Sequence, residues 1–221
     1  MKRRIVVFFC FIALIVGLAA GFVLRGLVSE QQPSSHTGIA TAEPSASQQD
    51  AEESADQKGR MVITAIKAVR AISEQDFETL STFVDPEEGV TFTPYSTVDP
   101  TSNLTFSADE LADAEEDETA YVWGLSSSDS SPIKLTIPEY FDSYVWDADY
   151  WGVAELGIDT VLHSGNSLEN VSDAYPGCHF VDFYLPATDD TDRDWSSLKL
   201  VFQQSGSEWY LVGIIHSEWT A

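Results

Sequence analysis

The sequence is poor in cysteine and in positive charge, and it lacks the short motifs that usually mark catalysis. Two cysteines, Cys10 and Cys178, in 221 residues cannot form a disulfide framework, so a packed core must hold the fold. Eleven Lys and Arg face 36 Asp and Glu, a net charge of −25. After Ser73 the only basic residues are Lys134, Arg193 and Lys199. Such a surface repels phosphate backbones, which excludes nucleic acid as a partner. It also disfavours contact between the folded part and anionic lipid. G-x-S-x-G, H-E-x-x-H and a phosphate-binding glycine loop are all missing. No catalytic residue, metal ligand set or cofactor is therefore expected.

What is present begins with an address. Lys2, Arg3 and Arg4 precede a run of 20 apolar or small residues, 5–24. As a helix that run would be about 30 Å long, the thickness of a bilayer's hydrocarbon core. Residues 1–28 are therefore expected to be a transmembrane anchor. The basic flank places the N-terminus in the cytoplasm and the C-terminal domain outside, as a single-pass protein of the cell membrane. The rival is a cleaved signal sequence, with Gly17-Leu18-Ala19 as an imperfect cleavage site. Its apolar region is usually only about 7–15 residues. Residues 29–57 are rich in Ser, Gln, Ala, Glu and Pro and contain no aromatic residue. They cannot bury enough apolar surface to offset their ordering entropy and are expected to be a disordered linker.

The body, residues 58–221, is expected to be α+β. Val62, Ala65, Ile66, Val69 and Ile72 recur at helical spacing. Ser73-Glu74-Gln75-Asp76 resembles a capping signal, and Phe77, Leu80 and Val84 continue as a second helix that Pro86 stops. Pro94 marks 90–95 as an edge strand or a bend. The acidic block 109–118 reads as a loop or short helix. Residues 120–125 and 133–137 read as strands joined by a Ser-rich turn, and Pro138-Glu139 opens another helix. Three long strands, 178–185, 198–204 and 209–218, close the chain. Helices followed by long strands predict N-terminal helices packed on one face of a curved antiparallel sheet, an arrangement that by analogy resembles the cystatin-like cone of NTF2-like folds.

Several stretches carry a resemblance: DPEEGVTFTPY at 85–95, Trp123-Gly124, DWSSLKLVF at 194–202 and WYLVGIIHSEWT at 209–220. They resemble a family of uncharacterised exported, membrane-anchored bacterial proteins with an NTF2-like C-terminal domain. That resemblance implies no activity. Its members often have His where Asp85 stands, which implies that a role for imidazole there is absent from this chain.

Strict alternation along 209–218 places Tyr210, Val212, Ile214, His216 and Glu218 on one face of the last strand. His216 and Glu218 form a candidate titratable pair, and Tyr95 and Trp146 are candidate ligand-stacking aromatics. Tyr144, Trp123, Tyr150 and Trp151 belong to the same aromatic set, most of which would be core. His163, His179 and His216 lack metal-ligand spacing. Asp190, Asp192 and Asp194 have the start of a calcium-loop spacing, but Trp195 and Val201 stand where such a loop needs Gly and Glu. Cys178 has no positive field to make it a nucleophile. The expected function is binding of a small molecule or a cell-envelope protein by a membrane-tethered extracytoplasmic domain, without chemistry. The alternative is a cavity-based enzyme using His216 and Glu218 as acid–base groups.

The charge imbalance has a measurable consequence. Crowded carboxylates repel one another and destabilise the compact state, and salt shortens the Debye length from about 10 Å at 0.1 M to about 3 Å at 1 M. NaCl is expected to raise the melting temperature. A flat or falling response between those concentrations would show that repulsion does not limit stability.

Overall fold

The computed structural model describes residues 46–153, 155–188 and 190–219. The expected anchor and linker residues 29–45 lie outside the described residues. No described helix is long and apolar enough to cross a membrane.

The first helix, α1, runs from Ala46 to Glu74. Residues 46–57, expected from composition to be coil, are helical. Ala, Gln and Glu favour a helix once something fixes its position. Two ties to the body do so: Trp209 Nε1 donates to the Gln57 carbonyl at 3.0 Å, and Lys58 Nζ lies 2.8 Å from Asp159. Met61, Ala65, Ala68, Val69 and Ile72 form the buried stripe. Gln75 takes a positive φ of 50°. Its N–H reaches Ile72 O and the Asp76 N–H reaches Ala71 O, the paired bonds of a Schellman ending. Asp76, not Ser73, caps α2 (Phe77–Ser81) by accepting from Thr79 N. Ser73 is still inside α1 and donates to Arg70 O.

Six strands make the main sheet: β1 (Val90–Thr93), β2 (Leu104–Phe106), β5 (Glu155–Ile158), β6 (His179–Leu185), β7 (Ser196–Ser205) and β8 (Glu208–Glu218). Their order is β2-β1-β8-β7-β6-β5. β1 runs parallel to β8, with Thr93 opposite Ile215, and the other pairings are antiparallel. Of the two expectations from Pro94, an edge strand or a bend, the bend holds: β1 is an interior strand that ends at Thr93, and residues 94–97 form a bend. A smaller hairpin pairs β3 (Tyr121–Leu125) with β4 (Pro132–Leu135). Helix α3 (Ala108–Ala112) opens on a capping box of Ser107 and Glu110. Helix α4 (Ile137–Tyr140) opens on another, of Thr136 and Glu139, and continues into a π-turn, Phe141–Val145. Two more single turns, α5 (Tyr150–Val153) and α6 (Val171–Ala174), complete the elements.

Both faces of the sheet are covered. The larger core joins α1–α4 and the β3–β4 hairpin to Phe92, Phe183, Leu198, Leu200, Phe202, Leu211 and Ile214. The second holds Val98, Val171, Phe180, Val201, Val212 and Ile215 under α6 and its loop. Helices on one face alone are therefore only part of the architecture. Strict alternation along β8 also fails. Phe202 pairs with Leu211 but Val201 pairs with Gly213, leaving Val212 as a bulge. A bulge reverses the inside–outside pattern beyond it and bends the strand. Trp209 and Leu211 consequently share the larger core with Ile214.

The second face is closed by charge as well as by packing. Lys199 is 0% exposed. Its Nζ lies 3.0 Å from Glu169 Oε2, 2.9 Å from Ser217 Oγ and 3.3 Å from Ser197 Oγ. Asp182, opposite Lys199 on the neighbouring strand, accepts from Ser197 Oγ at 2.5 Å and from Leu162 N at 2.9 Å. The sheet's one buried ammonium thus anchors the covering loop.

Replacing Lys199 with Met leaves Glu169 without its cation and removes the donor to Ser197 and Ser217. The expected loss is about 3–5 kcal/mol of unfolding free energy, measured by urea denaturation. Adding Glu169→Gln is expected to return part of it. A loss below about 1 kcal/mol would show that solvent already neutralises the cluster.

Candidate functional site

The parallel pairing of β1 and β8 builds the candidate site. Both strands end at the same edge of the fold, so Pro94, Tyr95 and Ser96 emerge beside the end of β8. They enclose a cavity of about 240 Å³ together with Ser126, Ser127 and Ser128 of the β3–β4 turn, Tyr144 of the π-turn, Ser167 and Glu218. A shallower groove of about 440 Å³ shares Ser126, Tyr144 and Glu218, and continues along Ser131, Pro132, Ile133, Lys134 and Leu135 past Ser143.

Of the residues singled out in the sequence, Tyr95 and Glu218 meet in this cavity. The Tyr95 hydroxyl donates to the Leu125 carbonyl and accepts from Leu125 N at 2.6 Å. Burial pushes its phenol up in pKa, and the Leu125 contact opposes that. The ring passes so close to β3 that a Cβ on Gly124 would fall 2.3 Å from the hydroxyl, which explains a glycine in the Trp123-Gly124 pair. Tyr144, which sequence reasoning placed only in the general aromatic set, lines both cavity and groove. Its phenol is raised by burial, then by the carboxylate of Glu218 and by Tyr95. Behind it stand Tyr140, stacked at 5.2 Å, and Trp123, stacked on Tyr140 at 3.7 Å.

His216 and Trp146 lie elsewhere. His216 is 2% exposed, and its Nε2 is 3.3 Å from Asp147 Oδ2, so its partner is Asp147, not Glu218. Its ring meets Tyr144 edge-on at 5.7 Å, and its Nδ1 is buried without a partner. Trp146 packs on Tyr150 at 5.6 Å. Tyr150 donates to Asp147 at 2.8 Å and lies 3.0 Å from Ser196 Oγ. Burial raises the Asp147 carboxyl, but His216, by hydrogen bond and charge, and the Tyr150 hydroxyl outweigh it and hold it below the usual carboxylate range. Burial, followed by the Asp147 charge, pushes the Tyr150 phenol up.

The three histidines of the body go to three places. His163 stacks on Tyr184, and His179 Nδ1 lies 2.8 Å from Asp159. Among the described residues no group of three His, Cys, Asp or Glu could hold a metal ion. Asp194 turns back onto Thr188 N at 3.0 Å. The half-buried Cys178 thiol is pushed up by burial and then by Glu88, away from the thiolate. Asp85 accepts from Glu87 N and Glu88 N, both at 2.9 Å, and so caps the turn that leads into β1.

No family profile matches the chain, and none of the curated proteins matches it. Among solved structures it is similar to an NTF2-like protein with a cystatin-like fold from Novosphingobium aromaticivorans. The identity is 10% and the TM-score 0.36, over 82% of this chain and 92% of that one. It is also similar to a chain described as a calcium/calmodulin dependent protein kinase II association domain from Xanthomonas campestris. There the identity is 8% and the TM-score 0.29, over 83% of this chain and 94% of that one. Likeness at these scores brings neither ligand nor activity to this protein. The fold description rests on the strand order and the packing given above.

The Asp147–His216–Tyr150 cluster makes a pH prediction. A carboxyl held below its unfolded value of about 3.9 contributes stability in full above that pH and loses it as pH falls through the folded value. Asp147→Asn is expected to cost on the order of 1–3 kcal/mol at pH 7. The gap from the parent protein should close below about pH 4. Urea melts at pH 7, 5 and 3 measure it, and a gap unchanged at pH 3 would show that the ionised form is not the stabilising one.

Proposed function

We propose that the protein is a membrane-tethered, extracytoplasmic binding domain. Its Tyr95–Tyr144–Glu218 cavity takes a ligand carrying a cationic group and does no chemistry on it. The observation that carries the reading is the convergence of the exposed Glu218 carboxylate, the Tyr144 ring and the surrounding serine hydroxyls on one cavity. A carboxylate beside an aromatic face attracts an ammonium group through its charge and the ring quadrupole. The acidic chain concentrates cations at its surface before they bind.

Two details favour binding over acid–base chemistry. The hydroxyl of Tyr95 is occupied on both sides by Leu125. His216 is committed to Asp147 beneath Tyr144, so the pair of His216 and Glu218 that sequence suggests does not form a hydrogen-bonded couple. The membrane location rests on the basic flank and the apolar run at residues 5–24.

Thermal shift of the full chain in detergent, at 0.15 M NaCl, tests the ligand class. Lysine amide and choline are expected to raise the melting temperature, as any ligand selective for the native state does, and Glu218→Gln is expected to abolish the rise. No response, or an equal response in the variant, would sink the reading. Protease added to intact cells is expected to remove the body. Protection until lysis would overturn the extracytoplasmic placement.

A further inference from the structure

We infer that the occupant of this site is an extended peptide, which adds as a strand along the open edge of β4. One charged group of the peptide meets Glu218 and an oppositely charged group meets Lys134. The inference rests on the binding reading above and specifies its ligand.

Three observations point the same way. First, cavity and groove share Ser126, Tyr144 and Glu218, so a ligand seated against Glu218 has a continuous path out along β4. Second, that path follows backbone. Five consecutive residues, Ser131 through Leu135, line one wall, and Ser143 and Tyr144 line the groove as well. β4 belongs to a two-stranded sheet and pairs only with β3 among the described residues. Its other edge can offer backbone groups of Pro132 through Lys134 to an extended chain, although Pro132 has no N–H and the Ser131 and Leu135 carbonyls already accept from Ser126 N and Trp123 Nε1. At the usual rise of a strand the wall is about 13 Å long. That suits a short peptide and exceeds a single small amine. Strand addition also needs no deep pocket, in keeping with the shallowness of the groove.

Third, the charges are selective. In the body beyond Ser73 only three basic residues exist. Lys199 is buried on Glu169, and Arg193 lies over the Trp219 ring at 4.9 Å. Arg193 is exposed but spends its charge on that ring, whereas Lys134 is exposed, has neither an ion pair nor a ring contact among the described residues, and lines the groove whose other charged residue is Glu218. A cation left free in a chain of net charge −25, opposite a carboxylate in the same groove, suits a ligand that carries both signs. A simple cation would be served better by a groove without Lys134, and a simple anion would be repelled by the rest of the surface.

Fluorescence anisotropy with labelled pentapeptides on the full chain tests this at 0.15 M NaCl. One peptide carries lysine first and glutamate fifth. A second reverses them, because a strand can add in either direction. Lysine amide competes as the single-charge comparator. At least one peptide is expected to bind more tightly than lysine amide. Lys134→Glu is expected to weaken that peptide about fivefold or more while binding lysine amide at least as tightly as the parent protein does. Methylating the amide nitrogens at alternate positions of the peptide is expected to weaken it in one of the two registers only, as strand pairing requires. Peptides no tighter than lysine amide, or a Lys134→Glu variant with parental peptide affinity, would overturn the peptide inference and leave the cation site standing. Failure of lysine amide and both peptides alike would remove the binding reading itself. Lys134 is exposed, so its replacement is not expected to impair folding, and an unchanged thermal melt confirms that loss of affinity comes from the groove.

Discussion

One buried ammonium group sets the terms for the sheet. β7 and β8 lie between two cores, so neither has a solvent face to carry polar side chains. Yet the loop that covers the second face brings Glu169, and β6 brings Asp182. Burying carboxylates costs several kcal/mol each unless a charge or good hydrogen bonds compensate. Lys199 supplies the charge and the hydroxyls of Ser197 and Ser217 complete the bonding. With that cluster in place, β8 can be an interior strand where β1 pairs with it, at Gly213 to Ile215. That position in turn lets β1 dock beside it.

The site follows from that docking. A parallel strand pair ends both its chains at one edge, and here the two ends deliver Tyr95 and Glu218 from positions more than a hundred residues apart. The β3–β4 hairpin closes over them because its aromatic side chains belong to the larger core. Trp123 donates to Leu135 O at 2.9 Å, and Tyr95 holds Leu125. The walls of the cavity are thus fixed by core packing, while its serine-rich rim is exposed. A preorganised wall reduces the ordering that a ligand must impose on binding.

Local chemistry was legible in the sequence, and long-range pairing was not. The stripe from Ala65 to Ile72 announces α1 through its period, and the last three strands announce themselves as long apolar runs. Thr136 and Glu139 are spaced as a capping box and can be read directly. Residues 46–57 looked like linker because composition reports only the intrinsic cost of ordering, and the contacts that meet it, at Gln57 and Lys58, come from Trp209 and Asp159 far along the chain. The β8 bulge is equally silent, since Val212 is as apolar as the residues around it. That single extra residue separates His216 from the face that strict alternation assigns to it along with Tyr210 and Val212. Lys199 did leave a trace: one lysine among Leu198, Leu200, Val201 and Phe202, in a chain with so few cations, had to find carboxylates.

The same scarcity makes the placement of Lys134 informative. Where cations are abundant, a free lysine on a strand is an ordinary solubilising residue. Here the surface is acidic in almost every direction, so solubility needs no lysine, and a nearby carboxylate would ordinarily capture one. Among the described residues Lys134 instead has no ion pair, and it lines a groove together with Glu218. An edge with charges of both signs discourages pairing with a second copy of the same acidic chain, because most of that copy's surface would repel it. It accepts a short partner whose own charges are spaced to match. The acidic surface thus works against pairing with a second copy while Lys134 and Glu218 favour a dipolar peptide, and specificity rests on the difference between the two.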